Sequence, residues 1–387
     1  MLLAATGPLR VLGLQVELHA GQTEANLARA EALIRANPGH RLYVLPELSS
    51  HGYCDEVLSQ LDPTRPERPA QDAESGSVTA FFCRLARDVD AHISYGFLRD
   101  AGAGRTCICQ AVVDPRGQLV LAYDKMHLCD MGDCSEIAHG CSPGEGELGV
   151  FECDGVRVGV TICYDLRFPE LYRALAWDAG CDLILHPAAF VRDATFPMYH
   201  QQFVATRAVE NGVYLLSVSY AGERFGSSVA CPPWIGDVPG LAAPLAAASL
   251  GTAEGVLPLV VEPRHLEAVR RAYPYRRDVH PRLRAPPAQG DRRMFGLRLY
   301  AFGWTLAMHP GRVATSMTMT ICVPSISATV PVSTQHTPSA VEWGRPGAIV
   351  QHVSRVNNMR PVCNGAMHDV EAAIVEGTVV QQVVADS

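Results

Sequence analysis

The segment VGVTICYDLRFPELYRAL, residues 158–175, gives the clearest indication of the fold. Its first residues form an apolar, β-branched run typical of a buried strand, and its last residues have the spacing of a helix. Cys163 lies where the strand runs into a loop. The pattern predicts a strand–helix unit of an α/β protein, with a thiol at a strand end, where a rigid scaffold commonly holds reactive groups.

Strand and helix signals alternate on both sides of this segment, from residue 10 to residue 261. Mixed strands with interspersed helices predict an α/β or layered α+β fold. The predicted strands span residues 10–16, 41–45, 92–98, 107–113, 118–123, 156–162, 182–186, 213–219 and 256–261, and the predicted helices span residues 24–37, 78–89, 169–179 and 198–210, with Thr23 as the N-cap of the first.

Two other predicted strands end in reactive groups of different types: Glu47 follows VLP, and Lys125 follows LAYD. Lys125 is the only lysine among 32 basic side chains, and an ammonium does different chemistry from a guanidinium. A thiol, a carboxylate and an ammonium are a complete set for acyl transfer. Each also has an ordinary interpretation, as an inert core thiol, a solvated turn carboxylate or a surface charge.

Five motifs occur in order along the chain: LPELSSHGY (45–53), YDKMHL (123–128), the segment 158–175, HPAAF (186–190) and ATRAVENGVYLLS (205–217). Together they resemble the nitrilase superfamily of carbon–nitrogen hydrolases, and within it the Nit1/Nit2-like amidase branch. The resemblance implies an αββα four-layer sandwich, a Glu–Lys–Cys active site without a cofactor, and association as a homodimer or a higher homo-oligomer.

The resemblance implies a role for each reactive group. Cys163 is the expected nucleophile, and Glu47 is the expected general base that accepts the thiol proton and later returns one to the leaving ammonia. Lys125 is expected to stabilise the tetrahedral oxyanion together with the backbone N–H of Tyr164. The family also has a second glutamate between the lysine and the cysteine.

Glu136 is the best match for that second carboxylate, because a family-like Pro-Gly follows it. A surface carboxylate is the alternative interpretation of Glu136. The weaker candidates for the same role are Glu145, Glu147 and Glu152.

Other side chains near these motifs are candidates for the pocket. If Arg192 or Arg167 points inward, it offers a bidentate partner for a substrate carboxylate. We expect Asp165, Arg167 and Glu170 to hold the nucleophile loop through ion pairs, and Arg207 and Glu210 to play a similar structural part. The predicted substrate-binding residues are Tyr53, Tyr164, Phe190, Arg192 and Met198.

The motif CYDLRFPE resembles that of the Nit1/Nit2-like amidase branch, and the resemblance implies hydrolysis of a small carboxamide to a carboxylate and ammonia through a thioester, as in an ω-amidase. A nitrilase and an N-carbamoyl amidohydrolase use the same three groups and stay open as alternatives. A non-catalytic binding or scaffold member of the fold is the alternative from another class.

Several other classes of protein are disfavoured. His127, Cys129, Cys134, His139 and Cys141 form a cluster, but their spacing fits no common zinc pattern, so we predict no metal.

The net charge of −8 argues against a nucleic-acid partner. No run of eighteen apolar residues and no basic signal-peptide flank occurs, so we expect no membrane contact. Thirteen scattered cysteines indicate reduced thiols and a cytoplasmic location.

The composition changes near residue 285. Residues 284–293 (RAPPAQGDRR) are typical of a linker, and only 10 of the 94 residues from Met294 onward are charged, against 62 of the 293 before them. We predict a carbon–nitrogen hydrolase domain at residues 8–285 and a linker with a C-terminal extension at 286–387. A small β-rich domain, a poorly ordered extension and a read-through are all compatible with this tail.

Overall fold

The computed structural model describes residues 7–53, 70–131, 134–192, 196 and 202–280, together with five strands beyond residue 298. The chain divides into two compact units, residues 1–280 and 281–387. The predicted domain boundary near residue 285 falls among residues outside the described part, so it stays a prediction.

The first unit contains both strands and helices. Its strands are β1 (Leu9–Gln15), β2 (Leu42–Val44), β3 (His92–Asp100), β4 (Thr106–Val113), β5 (Leu119–Asp124), β6 (Asp130–Met131), β7 (Cys134–Ser135), β8 (Gly149–Cys153), β9 (Val156–Val160), β10 (Leu183–Pro187), β11 (Tyr214–Val218), β12 (Val229–Cys231), β13 (Ala248–Ser249) and β14 (Gly255–Val261). Its helices are α1 (Thr23–Ala36), α2 (Ser77–Val89), α3 (Pro169–Arg173), α4 (Phe203–Asn211), α5 (Pro263–Ala272) and α6 (Tyr275–Asp278).

Two six-stranded sheets form the centre of this unit. The first has the order β14-β1-β2-β3-β4-β5 and the second the order β13-β12-β11-β10-β9-β8. The pairs β1–β2, β2–β3, β9–β10 and β10–β11 are parallel, and the outer pairs are antiparallel. A mixed sheet of this kind brings the carboxyl ends of its inner parallel strands to one edge.

Three apolar cores separate four layers. One core lies between the sheets and joins residues of both, such as Val11 and Leu216. A second lies between the first sheet and helices α1 and α2, and a third between the second sheet and helices α3 and α4. Alternate residues of β1 face different cores, because side chains alternate across a strand. The fold is therefore the αββα sandwich, and the predicted fold class is confirmed.

Local elements differ from the predictions mainly at their ends. Helix α1 begins at Thr23 itself, and Gln22 is its N-cap, without a side-chain capping bond. The helix predicted at residues 169–179 is a short α-helix that continues as a π-turn over Ala174–Asp178. In a π-turn the hydrogen bonds span five residues instead of four, as in the bond from the Ala179 N–H to the Ala174 oxygen. The apolar periodicity of the sequence does not reveal this change.

The second unit contains strands in its described part. A three-stranded antiparallel sheet has the order β15-β16-β17, and β18 pairs with β19. The strands are β15 (Leu299–His309), β16 (Arg312–Val323), β17 (Ile326–Thr334), β18 (Val350–Ser354) and β19 (Val379–Val383).

Among the residues that the structure describes, no helix is both long enough and apolar enough to cross a bilayer.

Candidate active site

The three reactive groups follow the ends of three strands and lie together between the two sheets. Glu47 follows β2 and Lys125 follows β5 in the first sheet, whereas Cys163 follows β9 in the second. Glu47 and Lys125 are fully buried and Cys163 is 9% exposed. Charged side chains are almost never buried to this extent unless they are paired, so the arrangement itself indicates a specific interaction.

Lys125 lies between two carboxylates. Its Nζ donates to Glu47 Oε1 at 2.8 Å and to Glu136 Oε1 at 2.6 Å. Glu136 is 1% exposed, so all three charged groups are inside the protein. Of the four glutamates weighed in the sequence, Glu136 is the one that contacts the lysine, whereas Glu145 pairs with Arg105 at the surface.

The loop that carries Glu47 is held at several points. The backbone N–H of Ala189 donates to Glu47 Oε2 at 3.0 Å, and the Tyr220 hydroxyl donates to the Glu47 main-chain oxygen at 2.7 Å. The loop also lies directly on Gly96 of β3, where a Cβ atom would be 2.3 Å from the Leu48 nitrogen. Only glycine permits this close approach of two backbones.

Glu136 is fixed by two further donors. The backbone N–H of Cys129 donates to Oε2 at 2.7 Å, and the Tyr53 hydroxyl donates to Oε1 at 2.9 Å. Tyr53, which we predicted to bind substrate, therefore contacts the second carboxylate. Charge-assisted bonds such as these are the stronger class of hydrogen bond, so they set where the carboxylate lies relative to Lys125.

Cys163 opens a tight turn with an unusual backbone. The turn Cys163–Arg167 is a 3₁₀ helix, and Cys163 has φ +44°, in the left-handed region. This conformation costs a non-glycine residue about 1–2 kcal/mol, and it must be maintained by the surroundings. Strain of this kind concentrates at functional sites.

Asp165 organises the same turn from inside. Its carboxylate accepts hydrogen bonds from the backbone N–H of Ile162 at 2.9 Å, from the Tyr123 hydroxyl at 2.8 Å and from the backbone N–H of His127 at 3.0 Å. Asp165 therefore holds the loop through these hydrogen bonds, whereas the ion pairs that we expected among Asp165, Arg167 and Glu170 stay a prediction. Glu170 is exposed.

Burial and charge shift the acid–base properties of the cluster. Burial raises the pKa of Glu47, Lys125 opposes this effect, and the charge of Glu136 adds to it. Burial lowers the affinity of Lys125 for its proton, but Glu136 and Glu47 together raise its pKa well above the usual value. Burial and Glu47 raise the pKa of the Cys163 thiol. The groups titrate together, with a protonated lysine, a neutral thiol and a carboxylate of increased basicity.

The predicted pocket residues have different surroundings. The Arg167 guanidinium lies 4.8 Å from the ring centre of Tyr164 and 5.2 Å from that of Phe190. Arg192 is exposed, donates to Ser227 Oγ at 2.7 Å and lies 5.2 Å from the ring centre of Phe196. Met198 lies outside the described residues. Contact of Tyr164, Phe190 and Arg192 with substrate stays a prediction.

Two structural expectations concern the helix beyond the turn. Arg207 forms an ion pair with Glu210 at 3.0 Å and donates to the main-chain oxygen of Leu166 at 3.1 Å. The contact with Leu166 ties helix α4 to the nucleophile turn, and the ion pair with Glu210 lies within helix α4, so the predicted structural role is confirmed.

The histidine and cysteine cluster weighed for zinc has other contacts. His127 Nδ1 lies 2.7 Å from Asp165 Oδ1, and its ring stacks on Phe168 at 3.6 Å between centres. Within the described residues, no group of three His, Cys, Asp or Glu side chains is arranged to hold a metal ion. The Cys129 backbone instead helps to position Glu136.

The fold and the buried Glu–Lys–Cys arrangement define a class of thiol-dependent hydrolases built on the αββα sandwich. The sequence profile described as carbon-nitrogen hydrolase matches residues 10–244. The chain belongs to the carbon–nitrogen hydrolase family. Within the nitrilase superfamily it lies in the Nit1/Nit2-like branch.

The similar sequences include omega-amidases and a nitrilase. The chain is 29% identical to omega-amidase NIT2-A of Xenopus laevis over 264 residues, which are 65% of this chain and 88% of that one. It is 28% identical to human omega-amidase NIT2, over 64% of this chain and 87% of that one. A nitrilase of Pyrococcus abyssi is 33% identical, over 53% of this chain and 72% of that one.

Solved structures match over the same part of the chain. Saccharomyces cerevisiae Nit3, described as a member of branch 10 of the nitrilase superfamily, superposes with a TM-score of 0.58 and 23% identity, over 71% of this chain and 97% of that one. An amidase from Nesterenkonia sp. superposes with a TM-score of 0.54 and 25% identity, over 72% of this chain and 98% of that one.

Proposed function

We propose that this protein hydrolyses the C–N bond of a small carboxamide, releasing ammonia and a carboxylate through a thioester on Cys163. The observation that carries the proposal is the buried contact of Lys125 with both Glu47 and Glu136 beside the Cys163 turn. The omega-amidase and amidase names of the relatives support the choice of an amide as substrate.

In the first half-reaction the Cys163 Sγ attacks the amide carbonyl carbon while Glu47 accepts the thiol proton. The negative charge that develops on the carbonyl oxygen is stabilised by the Lys125 ammonium and the backbone N–H of Tyr164. The C–N bond then breaks, Glu47 returns the proton to the nitrogen, and ammonia leaves an acyl thioester. A carboxylate whose pKa is raised is well matched to accepting and returning a proton near neutral pH.

In the second half-reaction water attacks the thioester carbon. Glu47 again accepts a proton, and the same two donors hold the oxyanion. The C–S bond then breaks, the proton passes to the sulfur, and the carboxylate product leaves with the free thiol restored. One set of groups therefore serves both steps, with Glu136 keeping Lys125 protonated and in place throughout.

The test is ammonia release from a panel of small amides, nitriles and carbamoyl compounds. We expect turnover of an amide by the wild type and none by Cys163→Ala. The matched control is Cys181→Ala, because Cys181 is also buried but belongs to the core between the second sheet and its helices. Turnover that survives Cys163→Ala would contradict the proposal, and a preferred nitrile or carbamoyl compound would replace the amide by one of the alternatives.

A finer proposal concerns the form of the amide. Arg167 lies beside the rings of Tyr164 and Phe190, which we propose border the pocket, so its charge favours an amide that also carries a carboxylate. We expect the preference for acidic amides to fall in Arg167→Met or Arg192→Met. A preference unchanged in both variants would contradict this. The homodimer and the cytoplasmic location stay predictions.

A further inference from the structure

A buried chain of hydrogen bonds reaches the main chain of the nucleophile from the second sheet. His186 Nε2 lies 2.9 Å from the Cys163 carbonyl oxygen, and His186 Nδ1 lies 2.9 Å from Ser217 Oγ. Both side chains are fully buried. The two residues are direct partners in the register of β10 and β11, so the sheet itself sets their spacing.

The direction of these bonds follows from the groups involved. A carbonyl oxygen only accepts, so His186 Nε2 carries a hydrogen and donates to Cys163. In the neutral ring Nδ1 is then an acceptor, and the Ser217 hydroxyl donates to it. The Cys163 carbonyl therefore selects the Nε2–H tautomer, and the Ser217 hydroxyl, which can donate or accept, completes it by donating to Nδ1.

This carbonyl belongs to the peptide unit that matters for the reaction. The Cys163 C=O and the Tyr164 N–H share one planar trans peptide and point in opposite directions. Holding the oxygen fixes the direction of the Tyr164 N–H, the proposed oxyanion donor. The same bond opposes relaxation of Cys163 from φ +44°, which would turn its thiol away from Glu47.

The segment that contains His186 also holds the base. Three residues further along, the Ala189 N–H donates to Glu47 Oε2. We propose that His186, held between the Ser217 hydroxyl and the Cys163 carbonyl, is a positioning residue that orients the Cys163–Tyr164 peptide for catalysis. The inference rests on the proposed function, because it assigns a purpose to an orientation of the nucleophile.

The experiment compares His186→Gln, which retains an N–H donor close to the position of Nε2, with His186→Leu, which retains bulk alone. For His186→Leu we expect kcat to fall on the order of 10²-fold with KM changed less than about threefold, because oriented donors act in the transition state. His186→Gln should recover kcat to within about tenfold of the wild type, and Ser217→Ala should lose about tenfold. The control is His92→Leu, a buried histidine that contacts Cys153 in the inter-sheet core.

Thermal unfolding identifies variants that do not fold, and the folded variants decide the outcome. Equal losses of kcat in His186→Gln and His186→Leu, or full activity in a folded His186→Leu, would overturn the proposal. If His186→Leu does not fold, a folded His186→Gln with a loss on the order of 10²-fold would also overturn it.

A second readout separates this proposal from the proposed function. The rate at which iodoacetamide alkylates Cys163, located by peptide mapping, depends on the thiol and its base but on no amide turnover. We expect slower alkylation in His186→Leu and recovery in His186→Gln. A wild type without amidase activity would refute the proposed function, whereas equal alkylation rates in all the variants would refute the positioning role.

Discussion

Lys125 Nζ lies 2.6 Å from Glu136 Oε1 in a part of the interior where neither side chain is more than 1% exposed. The same ammonium lies 2.8 Å from Glu47 Oε1. One cation therefore compensates two buried carboxylates, and the position of each group depends on the other two.

Lys125→Met should unfold more easily than the wild type and have no measurable activity. The variant leaves two carboxylates buried without their cation, and breaking a buried pair costs about 3–5 kcal/mol of unfolding free energy. Urea unfolding measures the loss. The double variant Lys125→Met/Glu136→Gln should regain part of the stability but none of the activity.

The control for this prediction is Arg35→Met. Arg35 forms ion pairs with Glu31 and Asp88 at the surface, and exposed pairs contribute only about 0–1 kcal/mol. An effect of Lys125→Met no larger than that of Arg35→Met would contradict the buried pairing.

Glu136→Gln should move the acid limb of the pH profile of kcat/KM to lower pH. Glu47 must be ionised to act as a base, so the rate falls as pH decreases through its pKa. That pKa is raised above 4.5 first by burial, with Lys125 opposing and Glu136 contributing to the increase. Removing the Glu136 charge lowers the pKa of Glu47, so the acid limb of the profile moves to lower pH.

Glu145→Gln is the matched control, because the Glu145 side chain is 78% exposed and pairs with Arg105 away from the lysine. Its pH profile should coincide with that of the wild type. An acid limb that stays in place in Glu136→Gln, or that shifts to higher pH, would exclude Glu136 as a source of the raised Glu47 pKa.

Tyr53→Phe should lower kcat/KM by about tenfold. The Tyr53 hydroxyl donates to Glu136 Oε1, and a hydrogen bond to a charged group contributes about 1.5–3 kcal/mol. Tyr43→Phe is the control, because its hydroxyl donates to the Asn37 carbonyl and its side chain lies in the core between the first sheet and helices α1 and α2. Equal activities in the two variants would show that Tyr53 has no effect through Glu136.

The sequence predicted most of the reactive groups but few of their supports. Cys163, Glu47 and Lys125 each follow the end of a strand, and a strand end is visible as a local pattern of apolar residues followed by a polar one. Glu136 was found only through the family resemblance. It lies in a loop, and its contact with Lys125 depends on the path of that loop.

The supporting contacts could not be predicted because they join residues far apart in the sequence. The Tyr220 hydroxyl donates to the main-chain oxygen of Glu47, which is 173 residues away in the sequence. The Tyr123 hydroxyl donates to the Asp165 carboxylate, which is 42 residues away. No local periodicity encodes such pairs. The HPAAF motif did mark His186 in the sequence, but its contact with Cys163 became visible only with the register of β10 and β11.

Gly96→Ala should reduce both stability and kcat. The added methyl would lie 2.3 Å from the Leu48 nitrogen and 2.8 Å from the Pro46 oxygen, so the Glu47 loop must move. Overpacking of this kind costs about 1–3 kcal/mol. Gly251→Ala is the control, since a Cβ there meets nothing within 4 Å. Wild-type kcat in Gly96→Ala would mean that the loop position is not critical.

The most direct test of the central claim is the intact mass of the protein during turnover of a slow amide substrate, quenched with acid and followed by peptide mapping. We expect an added mass equal to that of the acyl group, located on Cys163, absent from Cys163→Ala and present in Cys181→Ala. An acyl group on another residue, or steady turnover with no adduct at any time after mixing, would contradict a thioester mechanism at Cys163.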